Sequence, residues 1–333
     1  MKRWLKILPV VISLICLSSQ LQAAAHEIKL SILAPEGSTW VKIMEEMNQE
    51  IQTQSGGKLA LKIYAGGVSG DEKDVLRKMR IGQVHAAAFT GVGLGQIVPS
   101  VRILELPMLF RSYSEVDFVK NKLKPQFQKD FAAKGFELLG WAEAGFVNIY
   151  SNKPIKSKAD MGGVKFWAWE GDPLVKAMYS ALGITPIPLS LPDVLTSLQT
   201  KLIDGVYGPP LGVIALQWFT KVKNMTNLNL ANSTGALIIS KKAMNKLPPD
   251  LQKILRDASQ KYSNKLVQRI RSENGQALDQ IRKAGIQIIE VDPKAKEEII
   301  TVSESVYPKL AGKLYSPALL NQVKGYLAQK RGK

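Results

Sequence analysis

Residues 27–34 read EIKLSILA, and every second residue from Ile28 is apolar, which is the period of a β-strand. Apolar residues then recur at helical spacing over 40–51, and a second alternating stretch follows at 59–63. A glycine-rich turn leads into a predicted helix over 71–81, and the short apolar run VHAAAF at 84–89 predicts a third strand. Strand, helix, strand, helix, strand in this order is typical of a mostly parallel α/β sheet.

The second half of the chain repeats this pattern. The predicted elements are strands over 136–150, 164–169, 184–187 and 203–207, and helices over 172–182 and 192–202. The strand over 136–150 is long enough to pass from one unit to the other. In open α/β sheets, ligands bind at the carboxyl ends of the strands. The sequence therefore predicts two α/β units, each with ligand-contacting loops at its strand ends.

A very long helical pattern follows. Apolar residues keep to one stripe from Leu251 nearly to Gly285, and Pro249 suits a first helical turn. About 35 residues at about 1.5 Å each span roughly 50 Å, which exceeds the width of one unit. We expect this helix to join both units. The alternative is two helices broken near 272–275, where Gly275 weakens the pattern.

The N-terminus has the order of a secretory signal peptide: a short basic region at 2–6, an apolar run at 5–17 and small residues at 23–25. The apolar run is shorter than the roughly 20 residues that a spanning helix requires, which argues against a retained membrane anchor. We expect a periplasmic protein that is not inserted in the membrane after cleavage. Cleavage after Ala25 is favoured, and cleavage after Ala23 is the alternative.

Composition excludes several classes of protein. Removal of the signal peptide, residues 1–25, takes away the single cysteine, Cys16, so no disulfide or cysteine metal site is expected. The remaining 308 residues suit two lobes and carry a net charge of 42 minus 28, or +14. The lysines are dispersed and no nucleic-acid motif is present, so a nucleic-acid partner is not expected.

Enzyme and cofactor motifs are also missing. The run GVGLG at 91–95 lacks the spacing and acidic partner of a dinucleotide turn and predicts a flexible loop. There is no nucleophile elbow and no histidine pair for zinc. We expect no enzyme activity, no metal and no cofactor; a hydrolase with an unrecognised site is the weakest alternative.

Nearly the whole mature chain resembles the DctP-type solute-binding proteins of TRAP (tripartite ATP-independent) transporters. The stretches that carry the resemblance are YAGG at 64–67, GDE at 70–72, MRIGQV at 79–84, LPMLF at 106–110, LQTKLIDG at 198–205 and LPPDLQ at 247–252. The resemblance implies an α/β, two-lobed periplasmic binding protein fold (type II-like), with a long helix bridging both lobes and a ligand cleft between them. It also implies that the loaded receptor delivers its small-molecule ligand to the membrane permease subunits of a TRAP transporter.

The chain departs from the resemblance where most such receptors hold a carboxylate. The arginine after the first strand of the second lobe is replaced by Trp167, the arginine of a Gly-Phe-Arg context by Val147, and an asparagine after the Asp-Gly pair by Gly208. Arginine binds carboxylates through two parallel hydrogen bonds, which tryptophan cannot replace. We therefore expect a ligand that is not a simple dicarboxylate, and an apolar or aromatic ligand is favoured over a cation held by aromatic faces.

The predicted ligand contacts are largely apolar and aromatic. They are Glu36, Trp40, Phe89, Thr90, Gly91, Val147, Trp167, Trp169, Glu170, Tyr207 and Gly208. Glu143 is a further source of negative charge. Because Trp167 and Trp169 alternate in a strand, at least one of them is expected to face the core. A periplasmic lipid or hydrophobic-molecule carrier and a receptor for a signalling partner are alternatives with the same sequence features.

The expected lobe limits follow from the same pattern. Lobe I comprises 26–144 plus about 234–268, and lobe II comprises 145–233 plus about 269–333. Hinges are expected near Gly145 and Ser233. A ligand that contacts both lobes favours the closed state, so binding is expected to draw them together.

Overall fold

The computed structural model describes residues 25–332, so the predicted signal peptide lies almost wholly outside the described residues. The first unit contains β1 (His26–Ile32), α1 (Thr39–Gln54), β2 (Leu59–Tyr64), α2 (Glu72–Arg80) and β3 (Ala86–Thr90). Strand β1 pairs in parallel with β2 on one side and β3 on the other, as the alternation of the sequence predicts. Ser38 begins α1 by accepting a hydrogen bond from the Val41 amide at 3.4 Å.

Two long strands carry the sheet from the first unit into the second. The first unit continues with α3 (Gly91–Ile97), a 3₁₀ segment (Pro99–Glu105) and α4 (Tyr113–Ala133); the long strands are β4 (Phe136–Ser151) and β8 (Asn224–Ser240). They pair antiparallel along most of their length, with register shifts at 138/140, 143/145 and 147/149. Strand β3 pairs with the C-terminal end of β8. The two units therefore share one sheet.

The second unit is built around the other ends of the long strands. It contains β5 (Trp167–Trp169), α5 (Pro173–Leu182), β6 (Ile187–Leu189), α6 (Val194–Gln199), β7 (Gly205–Gly208) and α7 (Pro210–Ala215). Strands β5 and β6 form a separate two-stranded parallel sheet, and β7 pairs antiparallel with β4.

The elements predicted in this unit are longer than those observed. The strand predicted over 164–169 has three residues, and the strand predicted over 184–187 lies at Ile187–Leu189. The helix predicted from residue 192 begins at Val194, because residues Leu191–Asp193 with Pro192 form a 3₁₀ turn.

The long helix is continuous. Helix α9 runs over 35 residues from Pro249 to Lys283, so the alternative of two helices broken near 272–275 is wrong. It contacts α1 and β4 on the side of the first unit and α7 of the second unit, which confirms the bridging helix. Gly275 lies in its interior, where an added Cβ would contact nothing within 4 Å. No helix within residues 25–332 combines the length and apolar character needed to cross a membrane.

The C-terminal elements are α8 (Lys241–Met244), β9 (Gln287–Glu290), α10 (Pro293–Leu310) and α11 (Pro317–Arg331). Strand β9 pairs with the N-terminal end of β8, and α10 packs against α5. Helix α11 packs on α4, and Arg331 binds Glu115 at 2.9 Å. The last helix thus packs on the first unit, although about 269–333 was expected to lie with the second lobe.

The prediction of a flexible loop at 91–95 is wrong. Residues Gly91–Ile97 form helix α3, whose N-terminus is capped by the side chain of Thr90. The carboxylate of Glu72 accepts a hydrogen bond from the Gly93 amide at 2.6 Å. An added Cβ at Gly93 would lie 2.7 Å from that carboxylate, so the glycine permits the close packing. The glycines therefore serve helix packing in this segment.

Candidate functional site

A cavity of about 430 Å³ lies between the two units. Its wall comes from the ends of β1 and β3, the crossing region of β4 and β8, strands β5 and β7, and helices α5 and α7. Most of the wall is aliphatic or aromatic. The site therefore lies where the strand ends of both units meet, as expected of open α/β sheets.

Stacked aromatic rings form one side of the cavity. The Trp167 ring stacks on Tyr207 with centroids 4.7 Å apart and meets the edge of Trp218 at 5.3 Å. The Trp167 indole nitrogen donates to the Leu189 carbonyl at 3.0 Å, and the Tyr207 hydroxyl accepts from the Trp169 amide at 3.2 Å. These polar atoms are already engaged within the protein. The rings consequently offer the cavity apolar surface.

Eight of the eleven predicted contacts lie in the cavity wall: Trp40, Phe89, Thr90, Val147, Trp167, Trp169, Tyr207 and Gly208. Trp167 and Trp169 also belong to the same buried cluster of the second unit. Both tryptophans therefore pack in the core and line the cavity. The positions at which the sequence departs from the carboxylate-binding pattern, 147, 167 and 208, come together in this wall.

The other three predicted contacts lie outside the wall. Glu36 is exposed on the turn after β1. Glu170 is exposed and forms an ion pair with Lys73. Gly91 packs against the carboxylate of Glu105, where an added Cβ would lie 2.1 Å from Oε2. Glu143, the further source of charge, binds the Arg271 Nε of α9 at 2.5 Å.

The wall contains a buried charged cluster that no sequence pattern indicates. Arg102, in the 3₁₀ segment, donates from Nη2 to Asp172 at 2.8 Å, and its Nε lies 3.0 Å from Glu105 Oε2. Glu105 also accepts from the Thr234 amide at 2.7 Å, and Asp172 accepts from Leu174 at the start of α5. Burial raises the pKa of Glu105 to about 7, although Arg102 opposes the shift. The neighbouring carboxylates keep Arg102 charged.

A second buried acid lies nearby. Glu72 accepts hydrogen bonds from the Thr90 amide at 2.6 Å, the Thr90 hydroxyl at 2.9 Å and the Gly93 amide. Burial raises the pKa of Glu72 to about 8 against these three bonds. Glu72 is therefore largely protonated at neutral pH.

These contacts decide the electrostatics of the cavity. Among the described wall residues, Arg102 is the one basic side chain, whereas Glu72, Glu105 and Asp172 are acids. Arg102 is already paired with two of them. The wall therefore offers no uncompensated positive charge to an anion. Within residues 25–332, no group of three or more His, Cys, Asp and Glu side chains is arranged to hold a metal ion.

Polar contacts join the two units beside the cavity. The Trp169 indole nitrogen donates to Asp71 Oδ2 at 2.9 Å, and both side chains are buried. The pairs Arg102 with Asp172 and Lys73 with Glu170 also bridge the two units. Because Asp71 and Lys73 come from the first unit and residues 169–172 from the second, these bonds hold the two units in direct contact beside the cavity.

The wall residues that the sequence analysis did not predict share one property. Glu72, Arg102, Glu105, Asp172 and Asn232 are buried polar residues whose neighbours come from distant parts of the chain. Glu72 stands in a matching stretch, at 70–72, but nothing there shows that its side chain is buried. An arginine and two acids spaced at 102, 105 and 172 give no local pattern.

Comparison with known proteins identifies the family to which the chain belongs. The family model of DctP, described as bacterial extracellular solute-binding protein, family 7, matches residues 30–313. A solute-binding protein of Roseobacter denitrificans is 28% identical over 303 residues, covering 87% of this chain and 91% of the relative. The C4-dicarboxylate-binding periplasmic protein DctP of Vibrio cholerae is 25% identical over 280 residues, covering 83% and 82% of the two chains.

A solved structure has the same fold. A TRAP periplasmic solute-binding protein from Sulfurospirillum deleyianum, with bound succinate, superposes with a TM-score of 0.85 at 21% identity, covering 90% of this chain and 99% of the other. The two-lobed fold predicted from the sequence is therefore confirmed.

Proposed function

Because the chain belongs to the DctP family of bacterial extracellular solute-binding proteins, which are transport receptors, we propose that it captures an uncharged, largely apolar small molecule for a TRAP transporter. Closure of the two lobes holds the ligand in the cavity. The loaded receptor then delivers it to the membrane permease subunits. The predicted signal peptide directs the chain to the periplasm.

The observation that carries this proposal is the pairing of Arg102. Its guanidinium already binds Asp172 at 2.8 Å and lies 3.0 Å from Glu105, and all three side chains are buried. A carboxylate ligand would have to compete with these two acids. A buried charge without its own partner costs several kcal/mol. The loss of a charged pair, about 2–5 kcal/mol, corresponds to roughly 1.5 to 3.5 decades in affinity.

Apolar burial supplies the favourable free energy for an uncharged ligand. A molecule that buries roughly 200 Å² of apolar surface against the aromatic wall gains about 5 kcal/mol at about 25 cal/mol per Å². The cavity of about 430 Å³ is of the size that holds small molecules. This size favours a small ligand over a phospholipid, and hence a transport receptor over a lipid carrier.

Two of the similar proteins differ from this proposal in the ligand they are associated with. The proteins from Vibrio cholerae and Sulfurospirillum deleyianum are named for, or hold, dicarboxylates. In this chain the wall carries Val147, Trp167 and Gly208 where the resemblance implies carboxylate-binding groups. We infer that the transport role is retained and the ligand class has changed.

Native mass spectrometry of the mature protein purified from the periplasm tests the proposal. After denaturation, the released small molecule is identified. We expect a neutral, mainly apolar passenger, and we expect succinate to show no binding by calorimetry. Tight binding of a dicarboxylate would overturn the ligand class while leaving the family unchanged. The matched variants Val147→Arg and Val147→Met then separate charge from size, because we expect a gain of succinate binding only with arginine.

A further inference from the structure

Lysines gather along the edge of the second unit that lies away from the cavity. Strand β7 runs from Gly205 at this edge to Gly208 in the cavity wall. The Asn152 amide, just after β4, donates to the Asp204 carbonyl, just before β7, at 3.1 Å. The Lys223 amide, just before β8, donates to the last residue of β4 at 3.2 Å. We call the exposed lysines at these strand ends the lysine patch: Lys153, Lys165, Lys201, Lys221 and Lys223.

The lysines of the patch are dispersed in the sequence and become neighbours in the fold. The Asp204 amide donates to the Lys165 carbonyl at 3.0 Å, which brings the segment before β5 to the same edge. Lys165 Nζ donates to the Lys201 carbonyl. Lys153 Nζ lies 3.8 Å from the position that a Cβ at Gly163 would take. Since neighbouring strands lie about 4.8 Å apart, four adjacent strand ends span roughly 15 Å.

The positive charges of the patch are not compensated by ion pairs. No lysine of the patch forms one within residues 25–332, whereas Lys261 of α9 pairs with Glu50. The Asp204 carboxylate at the same edge accepts a hydrogen bond from the Lys165 amide at 2.7 Å. Leu202, which is 48% exposed, adds an apolar side chain to this edge. The patch therefore presents positive charge and one apolar side chain to an anionic partner.

The residue types of the patch favour a lipid surface over an acidic protein. Lysine is depleted at protein–protein interfaces, where aromatic residues and arginine supply most of the binding energy. Its ammonium group on a flexible stem acts as a point charge without fixed geometry, which suits mobile phosphate headgroups. Lysines near an anionic membrane surface are attracted to it, and the attraction falls off within a Debye length.

We propose that the lysine patch adsorbs the second unit to the headgroups of anionic phospholipids, without inserting into the hydrocarbon. None of its five lysines lines the cavity, so lipid contact leaves the ligand site free. The inference goes beyond the proposed function, because it concerns a surface that takes no part in ligand binding. Adsorption concentrates the receptor at a membrane surface and shortens its search for a membrane-embedded partner.

Co-sedimentation of the mature protein with vesicles tests the inference. We expect the wild type to bind vesicles of phosphatidylcholine containing about one third phosphatidylglycerol, and not pure phosphatidylcholine. Raising NaCl from about 0.05 M to about 0.5 M should release it. Since each lysine contributes about fivefold to the partition coefficient, changing all five patch lysines to glutamine should lower it by at least about a hundredfold.

A matched control separates the patch from the net charge of the protein. It changes five exposed lysines of the first unit to glutamine: Lys42, Lys58, Lys129, Lys134 and Lys242. Both variants lower the charge of the mature chain by five, from +14 to +9. We expect the control to lose less than about tenfold, because these lysines lie away from the proposed contact. Changing the patch lysines to arginine keeps the charge and should keep the binding.

Each alternative outcome is distinct. Equal losses for the two glutamine variants would show that net charge and not the patch drives adsorption, and would overturn the inference. A wild type that binds neither kind of vesicle, or binds both equally, would also overturn it. Binding to poly-L-glutamate without binding to the vesicles would assign the patch to an acidic protein instead. The Tm of each variant is measured first, and a patch variant that loses binding only because it unfolds is recognised by failure of the arginine variant to bind, which counts against the proposal.

Discussion

The buried carboxyl of Glu72, a residue of the cavity wall, links protonation to the free energy of unfolding. It is buried, at 1% relative exposure, and supports the turn from β3 into α3 through Thr90 and Gly93. Its pKa in the folded protein is about 8, against an ordinary value of 4.5. The folded state therefore holds a proton that the unfolded chain releases at lower pH.

This shift predicts a pH dependence of the free energy of unfolding. Between pH 4.5 and 8 the folded state binds more protons than the unfolded state, so stability falls as pH rises. At about 1.4 kcal/mol per pH unit, Glu72 contributes a loss of about 2–3 kcal/mol between about pH 5 and 7. We expect Glu72→Gln to remove this part of the slope in urea unfolding curves. Glu36→Gln, which changes an exposed acid, should leave it; parallel profiles for all three proteins would contradict the assignment.

At the level of residues, the sequence predicted the apolar half of the site better than its polar half. Trp167, Trp169 and Tyr207 lie in the cavity wall, near the strand ends and the arginine position from which the sequence analysis selected them. Arg102 and Asn232 could not be selected in this way, because their place in the wall depends on what lies beside them after folding. Glu170 was predicted as a ligand contact because it follows a strand end. Its side chain instead pairs with Lys73 at the surface.

At the level of elements, we expect alanine substitutions at two glycines, one inside the long helix and one packed against it, to have opposite effects on stability. Gly275 lies inside α9 with open space where a methyl group would be added, whereas Gly145 on β4 has a φ of +111° and an added Cβ would lie 2.4 Å from Asn274 Nδ2. We expect Gly275→Ala to stabilise the protein by about 0.5–1 kcal/mol, because alanine favours the helix. Gly145→Ala should destabilise it by about 2 kcal/mol or more, through strain and overlap.

Urea unfolding at constant pH measures both changes. A loss of stability for Gly275→Ala would show that α9 depends on a bend at this position. An unchanged stability for Gly145→Ala would show that the crossing region adapts easily.

The elements themselves were predictable where a pattern is long. Helix α9 has a stripe along nearly its whole length, and β1 alternates cleanly, so both appeared at the expected places. Helix α3 was missed because glycines at 91, 93 and 95 indicate a loop by propensity, and tertiary contacts to Glu72 and Arg102 override that propensity. The packing of α11 on α4 depends on contacts between segments far apart in the sequence, which no local pattern reports.

For the whole molecule, the closed arrangement depends on contacts between the units. The bond from the Trp169 indole to Asp71 is buried, whereas the pair Lys73 and Glu170 is about half exposed. A hydrogen bond to a charged group contributes about 1.5–3 kcal/mol, and an exposed ion pair about 0–1 kcal/mol.

We therefore expect Trp169→Phe to shift the ligand-free protein toward the open form by about tenfold to a hundredfold, while the ring still lines the cavity. Small-angle X-ray scattering should show a larger radius of gyration for this variant. Lys73→Ala serves as the control and should scatter like the wild type. Identical curves for both variants would mean that the Trp169 bond does not hold the units together.

The pairing of β4 and β8 through the crossing region has a mechanical consequence. Two separate linkers would let the lobes twist, slide and separate independently. Strands β4 and β8 are instead hydrogen-bonded to each other, so we expect them to restrict the lobes to bending along one direction. On this expectation the direction of motion depends on backbone pairing, which does not depend on the identity of the cavity side chains. In such a molecule the residues that determine ligand choice and the backbone pairing that joins the lobes can change independently. A lineage of receptors can exchange side chains of the cavity wall, as at 147, 167 and 208, and keep the same strand pairing between the lobes.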